Sequence, residues 1–339
     1  MTYVQNITDI DNDILKRAKE ENKNWRVLGE ENTQDFMDDQ RWLNNISPDH
    51  MPRATDYIGE MIAIIEKLIK KGFAYEAGGS VYFSVKKDKE YGKLSKFSRK
   101  KMLTVANERG NEPDDPNKED PLDFVLWQAK KKGEPSWSSP WGQGRPGWHI
   151  ECSAMAGKLL GETVDIHAGG SDLIFPHHES EIAQSENANG RPFVRFWMHA
   201  GMLKYNGEKM SKSLGNMVFI SDLKKKYSPN VIRVFLLSHH YRSVCECIEN
   251  AIENAIKTTE PFKEAFKKQS GQGKVLSVAP YEKRFFAALN DDINTPRAIK
   301  VLQELSQKII KENKDTNITE AKAFMETALH ILGLEMELA

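Results

Sequence analysis

Hydrophobic and polar positions change rhythm several times along the chain. Residues 52–72, PRATDYIGEMIAIIEKLIKKG, place Ile58, Met61, Ile62, Ile65, Leu68 and Ile69 at helical spacing, with Pro52 suited to the start and Gly72 to the end. That stripe predicts a helix facing a core. FAYEAGGSVYFSV reads as a hairpin, two β-rich runs around Gly78-Gly79. YVQNIT near the N-terminus alternates bulky and polar residues and predicts a strand, and DIDNDILKRAKEEN predicts a helix opened by aspartates. That first strand begins with no turn or cap before it, which suggests that the chain starts inside a domain. ANERGNEPDDPNKED (106–120) predicts a polar surface loop, and the Gly/Pro-rich stretch with Trp127, Trp137, Trp141 and Trp148 an irregular, compact segment whose buried indoles need acceptors. HIECSAMAGKLLG predicts a helix, and VDIHAGGSDLIF a strand, glycine turn and helix entry. Beyond residue 229 the pattern is mostly helical, broken by GQGKVLSVAP. The fold class expected is α/β followed by a helical domain.

Charge and composition narrow the classes. With 48 Lys+Arg against 49 Asp+Glu the net charge is −1, which argues against nucleic-acid binding by bulk charge but leaves a local basic surface open. A chain of 339 residues, 39% hydrophobic and 29% charged, fits a globular protein of two or three domains. No run of about 18 apolar residues exists, so no membrane span is expected. The N-terminus lacks the pattern of a secretory signal. Cys152, Cys245 and Cys247 make no disulfide framework, and a cytoplasmic setting is the simplest.

Two stretches could carry chemistry. In FPHHESEIAQ (175–184), Pro176 suits a first helical turn, so His177 and Glu181 stand at i and i+4 on one face. Cys152 upstream offers a soft sulfur, and the three together suit Zn²⁺ with a fourth position left open. Taken alone, such a His-His pair near a Glu is more often a surface or capping arrangement, and a lone cysteine such as Cys152 more often a small buried hydrophobe. In EKMSKSLGN (208–216), two lysines, two serines and a glycine could wrap a polyphosphate, or form an exposed basic loop.

Lys209-Met210-Ser211-Lys212-Ser213 resembles the signature loop of class I aminoacyl-tRNA synthetases. Around it stand GWHIECSAM (147–155), DIHAGGSDLIFPHHESEIAQSE (165–186), WMHAGML (197–203), YVQNITDIDN (3–12) and PRATDYI (52–58). Together these resemble the cysteinyl-tRNA synthetases through most of residues 1–247, and FFAALNDDINTPRAI (285–299) is similar to that family's helical domain.

The resemblance implies a Rossmann-like parallel-sheet catalytic domain over 1–228, with an inserted segment around 70–140, and a helical stem-contact and DALR-like tRNA-binding domain over 229–339. It implies ATP-dependent activation of cysteine to cysteinyl-adenylate and transfer to tRNA(Cys). Cys152, His177 and Glu181 fall where the family has zinc ligands; His178 and Glu179 need not be ligands. Thr8, Trp148 and His167 match residues around the bound cysteine. Lys212 matches the lysine on ATP, with Lys209 assisting, Ser211 and Ser213 shaping the loop, and Asp172 a candidate for the ribose or the cysteine ammonium. Zinc, Mg²⁺-ATP, cysteine and tRNA(Cys) are therefore the expected cofactor and partners, with no membrane, and the protein is expected to be a monomer. Lys-rich stretches at 223–226 and 307–314 are candidate tRNA contacts.

The sequence departs from the family in lacking a His-X-Gly-His string and the zinc-binding cysteine that accompanies it. A chain truncated at the N-terminus, missing the first strand and helix, is the expectation, with an early C-terminal stop as well, and with it little or no adenylation by these 339 residues. Two other readings share the features: a cysteine ligase of mycothiol biosynthesis, and a non-catalytic paralogue that binds tRNA or cysteine.

Overall fold

The computed structural model describes residues 1–205, 207–210, 215–247 and 249–335. The chain divides into two compact units, Met1–Asp35 with Pro48–His199, and Phe36–Ser47 with Ala200–Ala339.

The first unit opens on an extended segment, not the expected strand. Val4 and Ile7 make only isolated parallel bridges to His50 and Arg53. Helix α1 (Asn12–Glu20) begins where expected, because the Asp11 carboxylate accepts the Ile14 N–H at 2.6 Å. Helix α2 (Trp25–Trp42) follows, then a 3₁₀ turn (Ala54–Tyr57) leading into α3 (Ile58–Lys70). The apolar stripe of α3 does what its spacing predicts: Met61, Ile65 and Leu68 are fully buried.

Strands β1 (Ala74–Ala77) and β2 (Ser80–Phe83) form the expected hairpin, with Gly78 and Gly79 both at positive φ in the turn. After α4 (Arg99–Glu108) the expected polar surface loop follows, and it is anchored at its end. Arg99 grips buried Asp120 through both carboxylate oxygens at 2.6 Å, and Asp123 accepts from Val85 N and Tyr75 Oη, each at 2.8 Å. The tryptophan-rich stretch is likewise ordered as sheet: β3 (Phe124–Ala129), β4 (Trp137–Ser139) and β5 (Gly142–Pro146) complete an antiparallel sheet of order β1-β2-β3-β5-β4. Its glycines are close-approach positions. A Cβ on Gly144 would lie 2.3 Å from Gln128 O, and one on Gly147 2.0 Å from Val125 O. Trp127 is fully buried and its indole N–H has no partner, against the expectation that each buried indole finds one.

Helix α5 (Trp148–Leu160) starts directly after Gly147, and β6 (Val164–Gly170) pairs with β7 (Val194–Ala200). Between these strands lie a 3₁₀ turn (Ser171–Leu173), a single π turn (Ile174–His178) and α6 (Glu179–Asn189). Pro176 sits in the π turn, ahead of the α-helix that it was expected to open and that begins at Glu179.

In the second unit β8 (Leu203–Tyr205) pairs antiparallel with β9 (Glu208–Lys209) and parallel with β10 (Cys245–Glu246). The rest is helical as expected: α7 (Ile220–Leu223), α8 (Pro229–Leu237), α9 (Glu249–Lys267), α10 (Ala279–Leu289), α11 (Thr295–Lys311) and α12 (Thr319–Ile331). Phe262, Phe285, Leu302, Leu305 and Met325 fill its core, and Cys245 and Cys247 are free thiols buried in it. The linkers α9–α10 and α11–α12 cross: Gly271 N–H bonds Thr316 O at 2.9 Å, and a Cβ on Gly271 would lie 2.3 Å from Asp315 O.

Candidate metal and amino-acid site

The α5–α6 pair buries polar side chains where a packing helix would bury apolar ones. Cys152 and His149 share the α5 face turned toward α6; His177 and Glu181, four residues apart, reach the same place from the other side. One ligand atom each from Cys152, His177 and Glu181 lies within 4.8 Å of the others, and all three residues are buried. His167, His178 and Glu181 form a second such group around the same carboxylate.

The geometry around Glu181 is that of donors aimed at a common point. His177 Nε2 stands 2.8 Å from Oε1 and His167 Nε2 3.2 Å from Oε2, yet neither oxygen has a hydrogen bond of normal geometry. A buried carboxylate without one is costly unless a cation faces it. Burial works to raise the Glu181 pKa, but His167 and His177 outweigh it and hold the carboxyl well below its usual range. Burial, with Glu181 and Glu151 nearby, pushes the Cys152 thiol well up, so a thiolate there needs a positive partner. Sulfur, imidazole and carboxylate with that need fit a zinc ion.

Neighbours fix the rings. His149 Nδ1 and His177 Nδ1 are 3.0 Å apart, close enough to share one proton; with a cation bound, His177 donating that proton would leave its Nε2 lone pair for the cation beside Glu181 and Cys152. Burial, then the His177 ring, holds the His149 pKa down to about 3, which keeps it neutral and able to accept. Trp148 stacks on His177 with ring centroids 4.3 Å apart and remains 37% exposed, a lid over the ring. Gln184 Nε2 ties the helices by donating to His149 O at 2.9 Å and Ser153 Oγ at 3.0 Å. His178 Nδ1 bonds His199 Nε2 at 2.8 Å. Glu179 accepts from Leu94 N and Ser95 N, so it faces the protein and not the cluster.

The other expected residues divide. His167 is brought to the cluster. Thr8 Oγ1 donates to Glu151 Oε2 at 3.1 Å, which links the TDIDN segment to α5 beside Cys152. Asp172 pairs with Arg109 at 3.1 Å. Lys212, Ser211 and Ser213 lie outside the described residues, as does the Lys209 side chain; the Lys209 backbone ends β9. Among the basic stretches, Lys224 pairs with Asp39, Lys225 with Asp222 and Lys308 with Glu312. Sequence reasoning passed over His149, Glu151, Gln184 and His199. Only His149 carried a signal, three residues before Cys152 on one helical face.

Residues 1–257 match the tRNA synthetases class I (C) catalytic domain, and residues 284–337 the DALR domain. The chain is 46% identical over 335 residues to a cysteine–tRNA ligase of Pseudomonas aeruginosa (strain UCBPP-PA14), covering 98% of this chain and 72% of that one. A cysteine–tRNA ligase of Aquifex aeolicus (strain VF5) is 42% identical over 359 residues, with the same shares covered. Among solved structures, a Mycobacterium tuberculosis methionyl-tRNA synthetase in complex with methionyl-adenylate superposes with a TM-score of 0.65 at 14% identity, over 98% of this chain and 81% of that one. A putative arginyl-tRNA synthetase from Campylobacter jejuni gives a TM-score of 0.55 at 16% identity, over 96% and 74%. Both likenesses concern the fold, and the fold is that of a class I synthetase. With these matches the chain belongs to the cysteine–tRNA ligases, within the class I aminoacyl-tRNA synthetases.

Proposed function

We propose that the cluster between α5 and α6 selects cysteine for ATP-dependent activation and transfer to tRNA(Cys), and that Cys152, His177 and Glu181 hold a zinc ion there. The observation that carries this is the convergence of their three ligand atoms within 4.8 Å around a buried carboxylate whose oxygens make no hydrogen bond of normal geometry. Zinc bound there supplies a soft centre that accepts a thiolate and discriminates against serine's hydroxyl, a distinction that pocket shape makes poorly.

The residues divide the work. Trp148 covers the side chain of the bound amino acid, Thr8 and His167 line its pocket, and Asp172, paired to Arg109, offers a carboxylate to the ribose or to the ammonium. In the first step a cysteine carboxylate oxygen attacks the α-phosphorus of Mg²⁺-ATP. The new P–O bond forms as the α–β bridge breaks, and pyrophosphate leaves with the bond's electrons. Lys212, assisted by Lys209 and with Ser211 shaping the loop around the phosphates, offsets the charge that grows there. In the second step a hydroxyl of the terminal ribose of tRNA attacks the cysteinyl carbonyl; the ester C–O bond forms as the carbonyl's C–O bond to the phosphate breaks, and AMP leaves with that bond's electrons and takes up the hydroxyl proton. The protein's contribution is placement and charge. Residues 1–228 contribute to the activation chemistry and 229–339 contact tRNA, with the protein acting as a monomer in the cytoplasm.

The test is metal substitution. The purified chain is loaded with Co²⁺ and titrated with cysteine and, separately, with serine. A sulfur-to-metal charge-transfer band that grows with cysteine and not with serine is expected, on top of the band from Cys152. Equal responses to the two amino acids, or no Co²⁺ bound at all, would overturn the proposal.

A further inference from the structure

Residues 240–243, between α8 and β10, carry no regular structure of their own, yet they border the small sheet closely. Gly201 N–H bonds Tyr241 O at 2.6 Å, and a Cβ on Gly201 would lie 2.1 Å from Ser243 O. Immediately afterwards Cys245 N–H bonds Met202 O and Cys247 N–H bonds Lys204 O, at 3.1 and 2.7 Å, setting β10 against β8. Glu246 accepts the Gly207 N–H in the β8–β9 turn at 2.6 Å. The backbone position of residues 240–243 therefore sets where β10, β8 and β9 sit.

Those residues are in turn held from the α10–α11 turn by one side chain. Asp292 accepts from Tyr241 Oη at 2.8 Å and from Arg242 Nε and Nη2 at 2.6 and 3.0 Å. The turn that presents it is unusual: Asp292 and Ile293 both lie in the left-handed region, at φ 51 and 54. A β-branched residue reaches that region only at a cost. Asn294 then caps α11 by accepting the Arg297 N–H at 3.2 Å, which fixes the turn to a long helix. A lone exposed ion pair would contribute little, but a two-pronged arginine and a phenol converging on one carboxylate from adjacent residues restrict each other.

The geometry points to Asp292 as a positioning residue: a latch from the helical bundle that fixes residues 240–243 and, through them, the β8–β9 hairpin that bears Lys209. Its link to the reaction rests on the proposed role of the lysine string in holding ATP, but the latch itself can be tested without that role.

Hydrogen exchange on the 339-residue chain decides it. Asp292→Gly removes the carboxylate while favouring positive φ, so the turn is not strained by the change. Arg242→Ala removes the other half from an exposed position, and Arg242→Lys should recover part of the effect. Both Asp292→Gly and Arg242→Ala should raise exchange about five-fold at amides 203–205, 207–209 and 245–247, with α11 and α12 unchanged. Unaltered exchange in the small sheet, or a rise that spreads equally to α11 and α12, would overturn the latch. ATP affinity measured on the same variants tests the lysine reading separately. Exchange that rises with no loss of ATP binding would leave the latch standing and remove the lysine string's claim on the nucleotide.

Discussion

Helix α6 buries Glu179, Ser180, Glu181, Gln184 and Ser185 beside Ile182, Ala183 and Ala188; α11 buries Ala298, Ile299, Val301, Leu302, Leu305 and Ile309, with Thr295 and Ser306 the uncharged exceptions. Both helices are deep in their units, and they are there for different reasons. The apolar face of α11 contributes by leaving water, so almost any well-shaped hydrophobe could serve. Each polar group on α6 must be matched by a specific partner, because an unmatched one costs stability. Glu179 has two backbone N–H groups, the Gln184 amide N–H has His149 O and Ser153 while its Oε1 and Ser185 Oγ have no partner, and Glu181 has only imidazole nitrogens at ion-pair distance. A helix that accepts this cost is organised around a site; one that avoids it is organised around a core.

Four substitutions would break or sharpen that contrast. Glu181→Ala should remove stoichiometric zinc, with affinity down more than about 100-fold, beyond what outer-sphere changes produce; metal analysis after dialysis reads this, and full zinc retention would mean that Glu181 is not a ligand. Leu302→Ala should cost about 3 kcal/mol of stability in urea unfolding while leaving zinc content unchanged. His149→Phe keeps a ring but loses the shared proton with His177, and zinc affinity measured against a chelator should fall about 10-fold to 100-fold with the fold intact by circular dichroism. Asp11→Ala removes only the cap of α1 and should cost about 1 kcal/mol in the same unfolding experiment.

The same contrast explains what could be read from the sequence. α3 and α11 follow from periodicity alone, since burial of one face is all they need. The Cys152, His177 and Glu181 trio was legible because its members are ligand types and two of them sit at i and i+4. His149, Gln184 and His199 were not, because their parts depend on which helix faces which, and no local pattern records that. The tryptophan-rich stretch was misread for a related reason. Gly144 and Gly147 look like breaks, yet they are where neighbouring backbone carbonyls leave no room for a methyl group. YVQNIT has a strand's alternation, but isolated bridges are all that residues 1–205 provide for it.

The GQGK stretch after α9 would pass for a hinge on composition, and the structure makes it a clasp. With Gly271 and Gly273 seated against Asp315, two connecting segments more than forty residues apart in sequence share one crossing point and hold each other still. Lengthening either segment should therefore be poorly tolerated, although both are short surface links of the kind that usually absorb insertions with ease.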